Sequence, residues 1–486
     1  MEVMSPYVIL GIVVGYFFLL LSIAYLTGKS DDNQSFFLGN KNAPWFLVAF
    51  GMIGSTLSGV TFISVPGWVN ANQFSYMQVV FGYLVGYWVI ATVLLPLYYR
   101  LNLISIYTYL EQRFGTSSYK TGASFFLISR LLGAAFRMYL VAMVFQMGVF
   151  DQLPVPIPFW LTAVFTIFLV WAYTFRGGIK TILWTDTLQT TFLLAAVIAT
   201  IFLIGWHLHL SPLALIREVS ASRFSGIFFF HDWHDPRHFL KQFLSGVFLC
   251  ITLNGLDQDM MQKNLCCRNI REAQKNIFVY SMVLTVVNFS FLCLGALLYI
   301  FAQKEGISLP QKADQLFPLL ALGGHISTTA GVFFILGLVA ATYASADAAL
   351  TALTTSFCVD ILAIQKKEKS EQVRIRQWTH IGVSVALALV IVIFQLLNNE
   401  SVVSELLTIA GFTYGPLLGL YAFGLFTKWE VQDSLVPLVC ILSPLLSYFL
   451  KLYLASLGYL FGFELLLFNG ALTFVGLVLV RKKSFQ

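Results

Sequence analysis

Charge is what this sequence has least of: Asp, Glu, Lys and Arg together make up 11% of its 486 residues, against roughly 25% in ordinary water-soluble domains. With 58% hydrophobic residues and a mean hydropathy of +0.80, the chain has too few polar groups to clothe a globule, which excludes a water-soluble enzyme. Six cysteines are too few for a disulfide scaffold at this length, and 35 glycines without a triplet period exclude a collagen-like fibre. The abundance of apolar residues excludes intrinsic disorder. A net charge of +6 is scattered through short loops with no basic patch, so no nucleic-acid partner is expected.

What the chain has instead is long apolar runs. A helix needs about 20 apolar residues to cross ~30 Å of hydrocarbon, and such runs recur thirteen times, at roughly 6–27, 43–69, 73–98, 120–149, 155–173, 181–207, 240–260, 276–302, 328–362, 377–398, 403–427, 433–456 and 459–481. Barrel strands would be half as long and alternating. The first run lacks a cationic n-region and a small-residue cleavage site, so it reads as a retained span. The class is therefore an all-α polytopic membrane protein with the lipid bilayer as its partner, placed in the plasma (inner) membrane. Cationic loops resist translocation. With the N-terminus outside, the inner loops and tail, including Lys29, Lys263 and Lys483, hold twenty Lys and Arg and the outer loops six, which puts N outside and C inside.

Ionisable groups at mid-span cost several kcal/mol and are functional candidates by default. Three stand out: Arg137, Asp186 and Asp347. In the second run, Gly51 to Ser64 replaces the usual Leu and Val by small and hydroxyl residues, which weakens a helix. Unwound backbone inside a membrane persists only where it lines a cavity or binds something, so the carbonyls of Gly54 and Leu57 become candidate oxygen ligands for a small hard cation. A close helix-packing face remains the other reading of the same residues. The ninth run places Ala341, Ala344, Ser345 and Ala348 on neighbouring helical positions with Asp347 close by, and the sixth supplies Asp186 between Thr185 and Thr187. If the two carboxylates approach, either a cation or a proton must sit between them. The seventh run is interrupted at Asn254-Gly255. Runs 2–6 and 7–11 thus form two blocks of five, each starting with an interrupted helix, the pattern of an inverted-repeat transporter. This divides the chain into an extra helix and inner loop (1–42), a first repeat (43–207), an outer loop (208–239), a second repeat (240–427), and two further helices with a basic tail (428–486).

The stretches Ser58-Gly-Val-Thr-Phe62, Trp184-Thr-Asp186, Gly255-Leu-Asp-Gln-Asp259, Ala340-Ala-Thr-Tyr-Ala-Ser-Ala-Asp347 and Gly411-Phe-Thr-Tyr-Gly-Pro416, with Tyr109-Leu-Glu-Gln-Arg-Phe114 in an inner loop, resemble the sodium:solute symporter family, which includes Na+/glucose, Na+/proline and Na+/sialic acid cotransporters. The resemblance runs from about 43 to 430. It implies a LeuT-type fold of 5+5 inverted repeats working by alternating access, with Na+ as the co-transported ion. It also implies an Na+ site from the carbonyls of Gly54, Leu57 and Ala341 and from positions 344 and 345, where Ala344 replaces a common serine and Ser345 keeps its hydroxyl. An additional Na+ site in some members maps onto Asp186, Asp347 and Ala348, so that a carboxylate stands where those members carry a neutral hydroxyl.

The solute is a small organic molecule. Arg137 suits bidentate capture of a carboxylate, as in an acidic sugar such as sialic acid; pairing of Arg137 with Asp186 is the structural alternative, and a neutral sugar the other solute. Thr56, Ser58, Thr61 and Gln78 are the remaining candidate pocket residues, and Phe412 with Tyr414 a candidate gate. Nothing resembles a nucleophile, base and oxyanion-hole set, so no enzyme is expected. H+ in place of Na+, or an uncoupled uniporter or channel, are the competing functions, and the oligomeric state stays open, a monomer included.

Overall fold

In the computed structural model, residues 5–27, 36–37, 39–155, 157–397, 402–459, 461–462 and 464–482 are described. Lys29 and Lys483 lie outside them. Among the described residues the regular structure is helical, with two isolated bridges and no strand beside it.

The helices follow the apolar runs. They are α1 (Pro6–Thr27), α2 (Trp45–Thr56), α3 (Gly59–Asn72), α4 (Tyr76–Arg100), α5 (Thr116–Gly148), α6 (Phe159–Phe175), α7 (Thr181–His207), α8 (Pro212–Ala221), α9 (Phe239–Gly255), α10 (Gln258–Leu265), α11 (Ile270–Lys304), α12 (Ala313–Leu322), α13 (Thr328–Ser356), α14 (Lys369–Leu397), α15 (Val402–Phe426), α16 (Val436–Ser456) and α17 (Leu465–Leu479). Among the described residues nine helices are long and apolar enough to cross a membrane, or up to eleven when each of two bent pairs counts as one span. The shorter apolar helices α6 and α17 fall where the fifth and thirteenth runs were read.

The bent pairs decide the architecture. The second run splits into α2 and α3, bent by 60°, and the seventh into α9 and α10, bent by 65°. Helix α13 is buried along most of its length, and it packs against α7, α5, α2 and α3. Its Gly337, Ala340, Ala341, Ala344 and Ala348 permit that approach; a Cβ on Gly337 would lie 2.5 Å from Ala196 of α7.

Two loop assignments change. Residues 303–327, read as a loop, contain α12, whose Leu316, Phe317 and Leu320 are buried and whose Phe317 ring meets Phe62 and Phe334. An apolar helix this short cannot span a bilayer but can plug one end of the bundle. The 208–239 segment contains α8, capped by Ser211, whose hydroxyl accepts from the Ala214 N–H at 3.3 Å.

Candidate functional site

Backbone chemistry opens the site. At the break, Leu57 takes φ −82°, ψ 83° and Ser58 is extended. The Leu57 N–H donates to Ile53, but the Ser58 N–H turns to Thr56 and the next regular bond is Phe62 to Ser58. Among the described residues no backbone N–H is directed at the carbonyls of Gly54 or Leu57, which leaves them as oxygen ligands without a donor. The glycines are there because neighbours come close: a Cβ on Gly54 would stand 2.4 Å from Thr190 Oγ1, and one on Gly59 2.2 Å from Thr342 Oγ1. The break is thereby clamped between α7 and α13.

On α13, Ala341, Ala344, Ser345, Asp347 and Ala348 are all buried. The Ser345 hydroxyl is 1% exposed and has no hydrogen-bond partner, an arrangement that normally costs ~1–3 kcal/mol unless a ligand answers it. A serine normally bonds back to its own helix, as Thr342 does to Leu338 at 2.9 Å. Asp347 accepts from the Tyr173 hydroxyl at 2.9 Å and from the Ala348 N–H at 2.6 Å; no cation lies within ion-pair distance of it among the described residues.

Asp186 is placed differently from what the sequence suggested. It is fully buried on α7, and its partner is neither Arg137 nor Asp347 but Lys263, whose Nζ lies 2.7 Å from Asp186 Oδ2. The Ser55 hydroxyl donates to the same oxygen at 3.0 Å, and Lys263 also reaches Ser55. The assignment of Lys263 to an inner loop is therefore corrected: it sits on α10, the second half of a bent helix, with no exposed surface. A hydropathy reading cannot see this, because the bend brings a polar stretch back into the core. Removing Lys263 from the inner count leaves the loop asymmetry large.

The charged chain continues. Lys263 Nζ is 3.9 Å from Asp259 Oδ1, Asp259 pairs with Arg130, Arg130 is 3.8 Å from Asp257, and Asp257 accepts from the Tyr414 hydroxyl at 2.6 Å. Arg130 thus joins two buried carboxylates. The signal for this network lay in Asp257, the N-cap of α10, and in Asp259 and Lys263 four residues apart on it, of which the first two were read at the end of the seventh run and only Lys263 in a loop.

Beside the break lies a cavity of about 160 Å³. Thr56, Ser58 and Thr61 line it, together with Arg130, Arg137 and Asn254, under a wall of Trp68, Tyr76, Tyr83 and Tyr87. Arg137 has no carboxylate within 4 Å among the described residues, and its buried Nε has no partner. The Thr56 hydroxyl is 2.5 Å from that of Tyr280, which in turn meets Tyr87 at 2.8 Å.

Three candidates lie elsewhere. Gln78 is fully buried and does not line the cavity; its amide donates to the Arg237 carbonyl at 2.8 Å and its oxygen accepts from the Phe229 N–H at 3.2 Å, which pins the 223–239 segment onto α4. Phe412 faces α16, with its ring 6.0 Å from Tyr448 and 5.9 Å from the Lys451 ammonium. Tyr414 is buried and committed to Asp257. The aromatics that do wall the cavity come from α3 and α4, where aromatic residues are too common for the sequence to single them out.

The family model of the sodium:solute symporters matches residues 36–431 of this chain. The chain belongs to the sodium:solute symporter family. This symporter is 24% identical over 425 residues to a sodium/sialic acid symporter of Aliivibrio fischeri, an alignment covering 84% of this chain and 81% of that protein. It is 25% identical over 419 residues to sodium-coupled monocarboxylate transporter 1 of Mus musculus, covering 84% of this chain and 66% of that protein. In structure it superimposes with TM-score 0.84 at 18% identity on a Na+-coupled sialic acid symporter in a substrate-bound outward-open state, covering 99% of this chain and 100% of the other. The nucleobase-cation symporter Mhp1 follows at TM-score 0.58 and 14% identity, covering 93% and 94%. The fold is LeuT-like, and the symporter couples Na+ to uptake of a solute; it is not an enzyme.

Proposed function

We propose that the protein sits in the plasma membrane, N-terminus outside, and imports a small carboxylate together with Na+ by alternating access, its two blocks of five helices (43–207 and 240–427) moving as inverted repeats. Arg137 carries this reading. A guanidinium with no carboxylate within 4 Å among the described residues, lining a cavity against the helix break, is costly to keep unpaired and well made for a planar anion. Thr61, Ser58 and Asn254 add hydroxyl and amide groups for the rest of the solute. Na+ would occupy the gap between the Gly54 and Leu57 carbonyls and the Ala341 carbonyl and Ser345 hydroxyl of α13, Ala344 contributing no oxygen. Ion and solute then share one conformational equilibrium, with a coupling of about 1–3 kcal/mol, or roughly 5–150-fold in affinity.

The size of the cavity narrows the solute. Ligand pockets usually enclose about 300–1,000 Å³, so the present cavity suits an acid of a few carbon atoms, whereas a nine-carbon acidic sugar requires it to widen. Proteoliposomes given an inward Na+ gradient test this with radiolabelled lactate, sialic acid and glucose. Accumulation of an acid that stops when Na+ is replaced by choline is the expected result. Accumulation of glucose alone, of an acid without Na+, or of an acid driven by a pH gradient in choline contradicts the proposal.

A further inference from the structure

The Na+ position at the helix break and the Asp186 carboxylate lie side by side, since Ser55, which donates to Asp186, follows Gly54 directly and its hydroxyl is shared with Lys263. A second cation at Asp186 needs carboxylate oxygens with nothing positive against them. The structure holds the reverse. Asp186 Oδ2 faces the Lys263 ammonium at 2.7 Å and the Ser55 hydroxyl at 3.0 Å, and its other oxygen lies 3.2 Å from the Gln189 side-chain amide when that amide is turned to donate. The ammonium reaches Asp186 because α10 is bent 65° away from α9, which swings the polar face of an eight-residue helix into the protein. Lys263 has no exposed surface and leans on Asp259 at 3.9 Å, so it cannot swing out to water without breaking into Asp259 and Arg130 as well.

We propose that Lys263 is a tethered cation that fills the second cation position of this symporter, so that a single Na+ binds per chain. The inference rests on the Na+ site described above. The charges agree with it. Asp186 is answered by Lys263 at 2.7 Å, and Asp257 and Asp259 by Arg130, whereas Asp347 is hydrogen-bonded by Tyr173 and its own neighbour with no cation within 4 Å among the described residues. The single Na+ at the helix break, held beside the unpartnered hydroxyl of Ser345, balances that remaining charge from a neighbouring position. Had position 263 been neutral, Asp186 and Asp347 together would call for two. Position 263 therefore sets the number of ions, and with it how steeply the solute is concentrated.

The purified protein tests this without knowledge of the solute. Equilibrium binding of ²²Na+ is expected to saturate at one ion per wild-type chain with a Hill coefficient of one. Lys263→Met is expected to take up a second Na+ and to raise the Hill coefficient above one, whereas Lys263→Arg, which keeps the charge, stays at one. If Lys263→Met fails to fold because Asp186 is left bare, Lys263→Met combined with Asp186→Asn removes both charges and is expected to bind one. Two ions on the wild-type chain, one on a folded Lys263→Met chain, or two on the double variant overturns the inference and leaves the Na+ site intact. No bound ²²Na+ on the wild-type chain removes that site and the inference together.

Discussion

Replacing Arg137 by alanine separates recognition from stability more cleanly than any other change in the cavity. The guanidinium has no acidic partner among the described residues, so its removal orphans no buried charge. What it removes is a fork of two charge-assisted hydrogen bonds to the solute carboxylate, each worth about 1.5 kcal/mol net at the low end. A loss of about 3 kcal/mol is roughly a 150-fold rise in KM for the carboxylate, with Na+ binding to the empty transporter unchanged and Tm within a few degrees of wild type. Arg137→Lys keeps the charge without the planar fork and falls between the two. The assay is initial Na+-driven uptake across a range of solute concentrations, alongside thermal melting of the purified variants. Arg130→Ala is the control. That arginine joins Asp257 and Asp259, and breaking such a buried pair costs about 3–5 kcal/mol, so it lowers Tm and folded yield. If Arg137→Ala transports its acid with wild-type KM, or melts as early as Arg130→Ala, the guanidinium is a structural group and the anionic solute is wrong.

Other consequences follow from the same geometry. Ser345→Ala removes one oxygen from the proposed ion site and relieves a hydroxyl that has no partner, so half-maximal activation shifts about 5–20-fold toward higher Na+ while Tm holds or rises; a Na+ titration of uptake and a melting curve measure both. Gly54→Val places a side chain where Thr190 Oγ1 already stands, and transport is expected to fall at least tenfold, since the break can no longer nest against α7. Gln78→Ala frees two hydrogen bonds that hold the 223–239 segment, a loss of about 1–3 kcal/mol, and limited proteolysis should find that segment first while the KM for solute stays unchanged. Phe412→Ala, whose ring lies toward α16, is expected to leave solute affinity within twofold, measured in the same uptake assay.

Hydropathy located the helices well because a bilayer imposes one length on every span. Both bends were legible as well: the small and hydroxyl residues at 51–64 and the Asn254-Gly255 interruption lie where the chain turns. Arg137 stood out because an arginine at mid-span has few innocent explanations, and the structure leaves it facing a cavity. Lys263 did not, because a lysine a short way past a break looks like part of any basic loop; only the 65° turn shows that it points back toward Asp186. Gln78 misled for the opposite reason. A buried amide serves equally well to bind solute or to tie down a loop, and what decides between them is the position of the Arg237 carbonyl and the Phe229 N–H, more than 150 residues away. The aromatic rings at 412 and 414 likewise carry no mark in the sequence of which neighbour they face, and the structure turns Phe412 toward Tyr448 and ties Tyr414 to Asp257.

Coupling to Na+ depends on the gap between the α2–α3 break and α13. Cryo-electron microscopy of the protein in lipid nanodiscs, imaged once in Na+ and once in choline, examines it directly. A density bounded by the Gly54, Leu57 and Ala341 carbonyls and the Ser345 hydroxyl, present in Na+ and absent in choline, is the predicted result. The same gap without density in saturating Na+, or an uninterrupted helix through Leu57 and Ser58, contradicts it.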